Sequence, residues 1–419
     1  PSRAPVRQVV AASDTRHVLI VGGGLAGAAT AMALARHGWR STVIDRHAEP
    51  AGDASGNPAG LFHGIVTADD GPHARFNRAA SFEARRAVVD AAADDAGIGN
   101  AQGLLRLEDA ATPVASMRAL LARLGLGPGY VQALDAPSAS TACGFTLHQP
   151  AWFYPQGGWV RPARLVRWML AEAGDLCEFR GGIAAERIER VDGRWRVIGE
   201  DGAVAAESAV LVVAGAIDTL RLLGHPAWPL QPVRGQISTA PAVDVGTLPS
   251  LPIAGGGYVM PAVDGRAVFG ATAQVGDADP ALRDEDHLHN LAHLARLLGR
   301  PVTLPPATLG GRTAWRCVSD DRLPLIGEVP EPGMAGDDTP PTREQLRFVP
   351  RRQGLFVFTG LGSRGITWST LGGEVLAAAI AGAPSPLPSS LLDAVDPARF
   401  FTRAARRAGN PGAGRQVAD

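Results

Sequence analysis

The chain has 419 residues, of which 40 are basic and 41 acidic, so its formal net charge is −1 and the total advertises no polyanionic partner. Hydrophobic residues make up 46%, with no low-complexity tract and no run long and apolar enough to span a membrane as a helix. That composition excludes a disordered or helical membrane class and suits two intertwined or sequential domains around a large core.

Residues 1–16, PSRAPVRQVVAASDTR, start with proline and carry no apolar signal-peptide core, so they read as a flexible linker. The expectation is a piece of something longer, with another domain upstream. Val18–Val21 then reads as a buried parallel strand. Gly22, Gly24 and Gly27 follow in G-x-G-x-x-G spacing, a helical pattern continues through Ala31 and Leu34, and a second strand, Ser41–Ile44, ends in Asp45. Strand, glycine turn, helix and a distal acid together are the fingerprint of a dinucleotide site. Gly22 allows the tight turn, Gly24 the approach of a pyrophosphate, and Gly27 the close packing of helix on strand. Leu25 and Ala26 open the helix, whose free N–H groups face the phosphates. Asp45 is placed to accept from ribose hydroxyls.

Residues 54–62 form a second Gly/Asn-rich loop. Helices are expected over 73–95, 114–124 and 162–174, with loop or strand over 128–156. Alternating runs Ile188–Val191 and Arg194–Ile198 around Asp192-Gly193 predict a hairpin. Ala209–Ala214, ending at Gly215, predicts a second buried strand in the same sheet as Val18. Beyond residue 232 the character changes to short strands at Val233–Ser238, Gly257–Pro261 and Ala267–Ala271. A helix over 284–298 is expected to place Leu288, Leu291, Leu294 and Leu298 on one face. A further buried strand, Leu355–Phe358, precedes a glycine loop, Gly360–Gly365, and a helix over 368–382. The tail beyond 397 is basic and Gly-rich and is expected to fray.

The three cysteines, Cys143, Cys177 and Cys317, show no metal or redox spacing, which fits a reducing cytoplasm. No metal site is expected: His289 and His293 have i, i+4 spacing, but no acid or cysteine completes a set, so His287, His289 and His293 read as a solvated face. Every basic residue is arginine, which suits either a GC-rich genome or recognition of carboxylates and phosphates.

These blocks, taken together over residues 17–390, resemble the D-amino-acid oxidase superfamily of FAD-dependent amine oxidases. Five strings are similar to one branch of it, the oxidoreductase domain of the bifunctional tRNA-modifying MnmC family: Ala54-Ser-Gly-Asn57, Pro232-Val-Arg-Gly-Gln236, Gly311-Arg-Thr-Ala-Trp-Arg-Cys317, Asp321-Arg-Leu-Pro-Leu-Ile-Gly327 and Gly360-Leu-Gly-Ser-Arg-Gly365. The resemblance implies an α/β fold (α+β overall). A Rossmann-like FAD-binding domain of the D-amino-acid/glycine oxidase type would be interleaved with an antiparallel-sheet substrate domain. The implied division is a linker (1–16), an FAD-binding domain from 17–95, 158–231 and 311–396, a substrate domain from 96–157 and 232–310, and a flexible tail (397–419).

The resemblance further implies FAD as cofactor, tRNA as partner through its wobble uridine, and an upstream methyltransferase domain or partner. The implied reaction removes the carboxymethyl group of 5-carboxymethylaminomethyl-(2-thio)uridine: hydride leaves the glycine-like α-carbon for flavin N5, and water cleaves the resulting imine, releasing glyoxylate. The alternative is a small-molecule oxidase of glycine, sarcosine or a D-amino acid. A third reading, a flavin-binding module for structural docking, is disfavoured by the intact carboxylate-binding positions.

Arg316 matches the superfamily's carboxylate-binding arginine, and Tyr258 a tyrosine facing the substrate; the bland readings are an ion pair and a core phenol. The implied cofactor contacts are Gly22, Gly24, Leu25, Ala26, Gly27, Asp45, Arg46, Ser55, Gly56, Asn57, Ala214, Gly215, Gly362, Ser363, Arg364, Gly365 and Ile366. Gln236 is expected behind the flavin ring. Arg364 either supports the reduced flavin or is solvated. Cys317 lies near a position where some relatives attach flavin covalently, but an inert buried thiol is expected. A phosphate-binding patch would draw on Arg343, Arg347, Arg351 and Arg352, or on Arg399, Arg403, Arg406 and Arg407.

Overall fold

A computed structural model describes residues 16–331 and 345–408, with side chains to residue 403. Its central layer is a six-stranded sheet in the order Leu325–Pro330, Arg351–Thr359, Val210–Val213, His17–Val21, Arg40–Ile44, Cys177–Arg180. All neighbours are parallel except the antiparallel edge strand Leu325–Pro330. The apolar runs at Val18, Val210 and Leu355 are thus adjacent strands although they come from the beginning, middle and end of the chain.

Such runs are buried on both faces, and alternation divides them. Val18, Ile20, Val212 and Phe358 pack with Leu34, Leu371 and Leu376 of the helices Leu25–Arg36 and Gly365–Ala381. Leu19, Leu211, Val213 and Leu355 pack with Trp195 and Val197. Those two belong to a three-stranded meander, Ala185–Val191, Arg194–Gly199 and Val204–Ser208. Its first turn has Asp192 at φ 49 and Gly193 at φ 78, the double left-handed turn that an Asp-Gly pair favours. The two helices approach closely because Gly373 has no side chain: a methyl there would lie 2.5 Å from the Ala29 carbonyl oxygen.

The second layer is a nine-stranded, mostly antiparallel sheet whose spine is the twelve-residue strand Leu230–Pro241. That strand pairs over ten positions with Gly310–Ser319, and along its second half with Arg266–Gly270, which in turn carries Tyr258–Val259. The helix Asp284–Leu298 covers one face of this sheet. No helix among the described residues is long and apolar enough to cross a membrane.

Several expectations need correction. A division at 310/311 falls at the first residue of the strand Gly310–Ser319, so residues 311–319 lie with the antiparallel sheet rather than with the dinucleotide layer. Residues 128–156 include a helix, Ala136–Cys143, capped by the Asp135 carboxylate accepting from Ser138 N. Leu288 is 54% exposed, while Leu291, Leu294, Leu297 and Leu298 are buried. At about 100° per residue Leu288 falls off the stripe centred on Leu294. His287 is not solvated: it is buried and lies 2.8 Å from Ser238 Oγ. The chain after 397 forms a helix, Arg399–Ala408, instead of fraying at once. Arg399 is 2% exposed, and its Nε and Nη2 donate to the two Asp321 carboxylate oxygens at 2.8 and 2.9 Å.

Candidate functional site

The glycine turn is built as its spacing demands. Gly22 sits at φ +115, where a side chain would be strained, and a methyl there would lie 2.5 Å from the Ala214 carbonyl oxygen. A methyl on Gly27 would lie 1.9 Å from the Gly22 carbonyl oxygen. The turn, the helix Leu25–Arg36 and the end of the strand Val210–Val213 therefore meet without side chains between them. The helix has no acidic residue in its first turn and no side-chain cap at Gly24. Ser55 Oγ accepts from Leu25 N at 3.1 Å, joining the second loop to the helix start, and Ala26 is the next residue of that first turn. This is an open, positively polarised cradle that fits a dinucleotide's phosphates.

Asp45 is placed at the end of its strand and engages backbone. Its Oδ2 accepts from Gly23 N at 2.6 Å and its Oδ1 from His47 N at 2.8 Å. Arg46 is half exposed and pairs with Asp218 at 3.3 Å, just beyond Ala214 and Gly215. At the same carboxyl edge of the parallel strands, Gly362 sits at φ +51 with its N–H donating to the Cys317 carbonyl at 2.8 Å. That bond sets Ser363, Arg364, Gly365 and Ile366 at the start of the helix Gly365–Ala381.

Register explains how the substrate-side residues converge. Arg316 lies opposite Val233, Arg312 opposite Ile237, Ile237 opposite Gly270, and Gly270 opposite Tyr258. Side chains alternate across a strand, so Arg312, Arg316 and Tyr258 share one face of the antiparallel sheet. Arg316 Nη2 donates to the Thr272 carbonyl at 2.5 Å. Its guanidinium lies over Gly235, where a methyl would come within 2.5 Å of Nη2. Arg316 has no carboxylate partner among the described residues, which rules out the ion-pair reading there. Burial lowers its pKa, and the nearby Tyr258 opposes that shift. Burial raises the Tyr258 phenol to about 12, with Arg316 pulling the other way.

The opposite face of the same strand carries Arg234 and Gln236. Gln236 donates to the Arg283 carbonyl at 2.9 Å and accepts from Arg283 N at 2.9 Å, turned toward the helix Asp284–Leu298. Gln236, expected behind the flavin ring, thus lies on the face of the strand away from Arg316 and Tyr258. Arg234, fully buried, meets Asp286 at 2.5 Å and holds the Asp279 and Ala281 carbonyls.

Arg312 was missed in the sequence, although it stands four residues from Arg316 and so on the same face. It donates to the Gly52 carbonyl at 2.6 Å and to Asn57 Oδ1 at 3.1 Å, tying the substrate-side strand to the loop of Ser55, Gly56 and Asn57. Arg364 is partly buried: burial lowers its pKa to about 10, and its Nη1 lies 3.2 Å from His63 Nε2. Cys317 is buried, its Sγ 3.6 Å from Thr359 Oγ1, and burial raises its pKa, the state of an inert thiol.

Several arginines of the two expected basic patches have partners within the chain. Arg351 forms a two-pronged pair with Asp396, and Arg399 and Arg403 converge on Asp321. Arg347 stacks on Phe348 and Arg352 on Trp195. Arg343 and the side chains of Arg406 and Arg407 lie outside the described residues. Among the described residues no group of three or more His, Cys, Asp or Glu gathers as a metal site.

Residues 17–379 match the family described as FAD dependent oxidoreductase. The chain is 50% identical over 402 residues to the tRNA 5-methylaminomethyl-2-thiouridine biosynthesis bifunctional protein MnmC of Methylibium petroleiphilum, covering 92% of this chain and 60% of that protein. The protein of the same name from Paraburkholderia xenovorans is 38% identical, covering 94% of this chain and 61% of its own length. The chain thus spans about three fifths of the length of these relatives. Glycine oxidase from Bacillus cereus superposes with a TM-score of 0.68 at 21% identity, covering 90% of this chain and 97% of that one. Iminodiacetate oxidase from Chelativorans sp. BNC1 superposes with the same TM-score of 0.68 at 22% identity, covering 91% of this chain and 98% of that one.

Proposed function

The chain belongs to the family of FAD-dependent oxidoreductases, and from that premise we propose that it oxidises the carboxymethylaminomethyl side chain of the tRNA wobble uridine to the aminomethyl form. The observation that carries this reading is Arg316: a partly buried guanidinium without a carboxylate partner among the described residues, on one face with Tyr258. The cofactor is FAD, which supplies a two-electron acceptor when bound. The turn Gly22–Gly27 and the start of the helix Leu25–Arg36 would hold its pyrophosphate, Asp45 its ribose, and Gly362–Ile366 the far end of its ring.

In this reading Arg316 fixes the substrate carboxylate through its planar fork, and the Tyr258 hydroxyl donates to the same group. A phenol whose pKa is raised to about 12 keeps its proton, so Tyr258 acts as a donor and not as a base. Thr272 and Gly235 hold the guanidinium at one height, which sets the α-carbon relative to the ring. Hydride departure from a neutral amine needs no strong protein base, so positioning is the protein's main task. The tRNA partner, an upstream methyltransferase half and a cytoplasmic location belong to this proposal, supported by the names and greater length of the most similar relatives.

The decisive experiment incubates the purified holoenzyme anaerobically with tRNA bearing 5-carboxymethylaminomethyluridine and follows loss of flavin colour and, after digestion, the aminomethyl nucleoside. Fast bleaching that weakens steeply with salt is expected. Rapid bleaching by glycine or sarcosine, with modified tRNA inert, would replace this reading by that of a small-molecule amine oxidase.

A further inference from the structure

Arg364 is a cation without a counter-charge. Its side chain has one hydrogen-bond partner among the described residues, His63 Nε2 at 3.2 Å, and no carboxylate. An arginine only donates, so His63 Nε2 must accept, and the imidazole proton sits on Nδ1, 2.5 Å from the Gly64 carbonyl. His63 is thus neutral and cannot balance Arg364. Beside it, at 5.2 Å between ring centroids, stands Tyr154, 1% exposed, with a buried hydroxyl that meets no partner. A partly buried guanidinium and a buried phenol whose hydrogen-bonding capacity is unused are costly unless something brings acceptors to them.

The surroundings say what kind of acceptor fits. Aromatic rings continue from Tyr154 to Tyr130 at 6.0 Å and from Tyr130 to Phe82 at 5.8 Å, and Phe82 is 44% exposed. A row of rings therefore runs from the neighbourhood of this partly buried cation to the surface. The Tyr154 cluster also adjoins the Arg316 side, because Leu61 packs both against it and against the cluster of Tyr258. A ligand entering here is flat, carries oxygen acceptors, and continues toward Arg316.

We propose that His63, Tyr154 and Arg364 form the subsite for the pyrimidine ring that bears the oxidised side chain, with its carbonyl oxygens accepting from Arg364 and Tyr154. This rests on the wobble-uridine reading above and deepens it: the carboxylate end goes to Arg316, and the ring end to Arg364. The subsite supplies what an enzyme for free glycine has no use for, a flat slot with donors beyond the reacting amine.

The test uses the FAD-loaded enzyme with two ligands. One is an anticodon stem-loop carrying 5-carboxymethylaminomethyluridine, followed by anaerobic flavin reduction. The other is N,N-dimethylglycine, a ringless relative of the same carboxymethylamine, followed by its perturbation of the flavin spectrum. Tyr154→Phe, which keeps the ring and its packing, should lower the second-order rate constant for the stem-loop about five- to tenfold, and Arg364→Gln about a hundredfold. Tyr154→Phe should bind dimethylglycine within twofold of wild type and keep the wild-type flavin spectrum. Equal losses with both ligands, or a shifted flavin spectrum in Tyr154→Phe, would give the cluster to the carboxylate or the flavin and overturn the proposal. No loss with either ligand would leave it a structural cluster and overturn it too. A wild-type enzyme inert to the stem-loop but bleached by a small amine would remove the substrate reading itself, and this inference with it.

Discussion

Gly235 shows how one missing methyl group decides a site. The Arg316 guanidinium occupies the space a Cβ would take. Gly235→Ala should push it off the Thr272 carbonyl and weaken binding of a carboxylate ligand on the order of tenfold, about 1.4 kcal/mol, with flavin content unchanged. Equilibrium titration of the flavin spectrum checks this. Arg316→Leu should keep flavin but slow substrate reduction on the order of a hundredfold or more, and Arg316→Lys should recover only part, since a point charge cannot reproduce a fork. Stopped-flow reduction with matched flavin loading measures both. At this scale the sequence showed the residues whose motif is local: Gly22, Gly27 and Asp45 stand in one fingerprint. Arg316 and Tyr258 were reached through resemblance. Thr272, Arg312, His63 and Tyr154 stayed hidden because their roles arise from strand register between segments far apart in the chain, which no local pattern encodes.

Among the elements, the helix Arg399–Ala408 departs most from its sequence reading. Its composition is that of a tail, yet Arg399 reaches Asp321 and the Leu323 carbonyl, in the loop that follows the Arg316 strand. Burial works to raise the Asp321 pKa, but Arg399 and Arg403 prevail and hold it at about 2. Its folded value lies below the unfolded one, so the stabilisation is present above about pH 4 and is lost as pH falls toward 2. Partial exposure limits it to about 1–2 kcal/mol. Between pH 5 and pH 3 the melting temperature of wild type should therefore fall further than that of Asp321→Asn. Arg399→Ala should cost about 2–3 kcal/mol in urea unfolding, because it leaves Arg403 as the one arginine on Asp321 among the described residues. The strongly periodic helices and the Asp-Gly hairpin were legible because their signals are local. The docking of this last helix was not, since one buried arginine outweighs the polarity of its neighbours.

For the whole molecule, buried Cys317 and the open glycine cradle predict non-covalent cofactor. Acid precipitation should leave a colourless pellet under a yellow supernatant, and Cys317→Ala should bind as much flavin as wild type; a pellet that stays yellow would contradict this. The order of the six-stranded sheet has a different consequence, for how the protein comes into being. His17–Val21 lies between Arg40–Ile44 and Val210–Val213, and Val210–Val213 in turn needs Arg351–Thr359. On the ribosome, at about 5–20 residues per second, the first strand waits on the order of ten seconds or more for its inner neighbour and longer for the next. Through that interval the apolar run of Val18 to Val21 has one partner strand and a bare edge, a state open to wrong pairing and to chaperones. Refolding yield should accordingly depend steeply on concentration, and fragments that stop before residue 351 should aggregate even though they contain the entire glycine fingerprint.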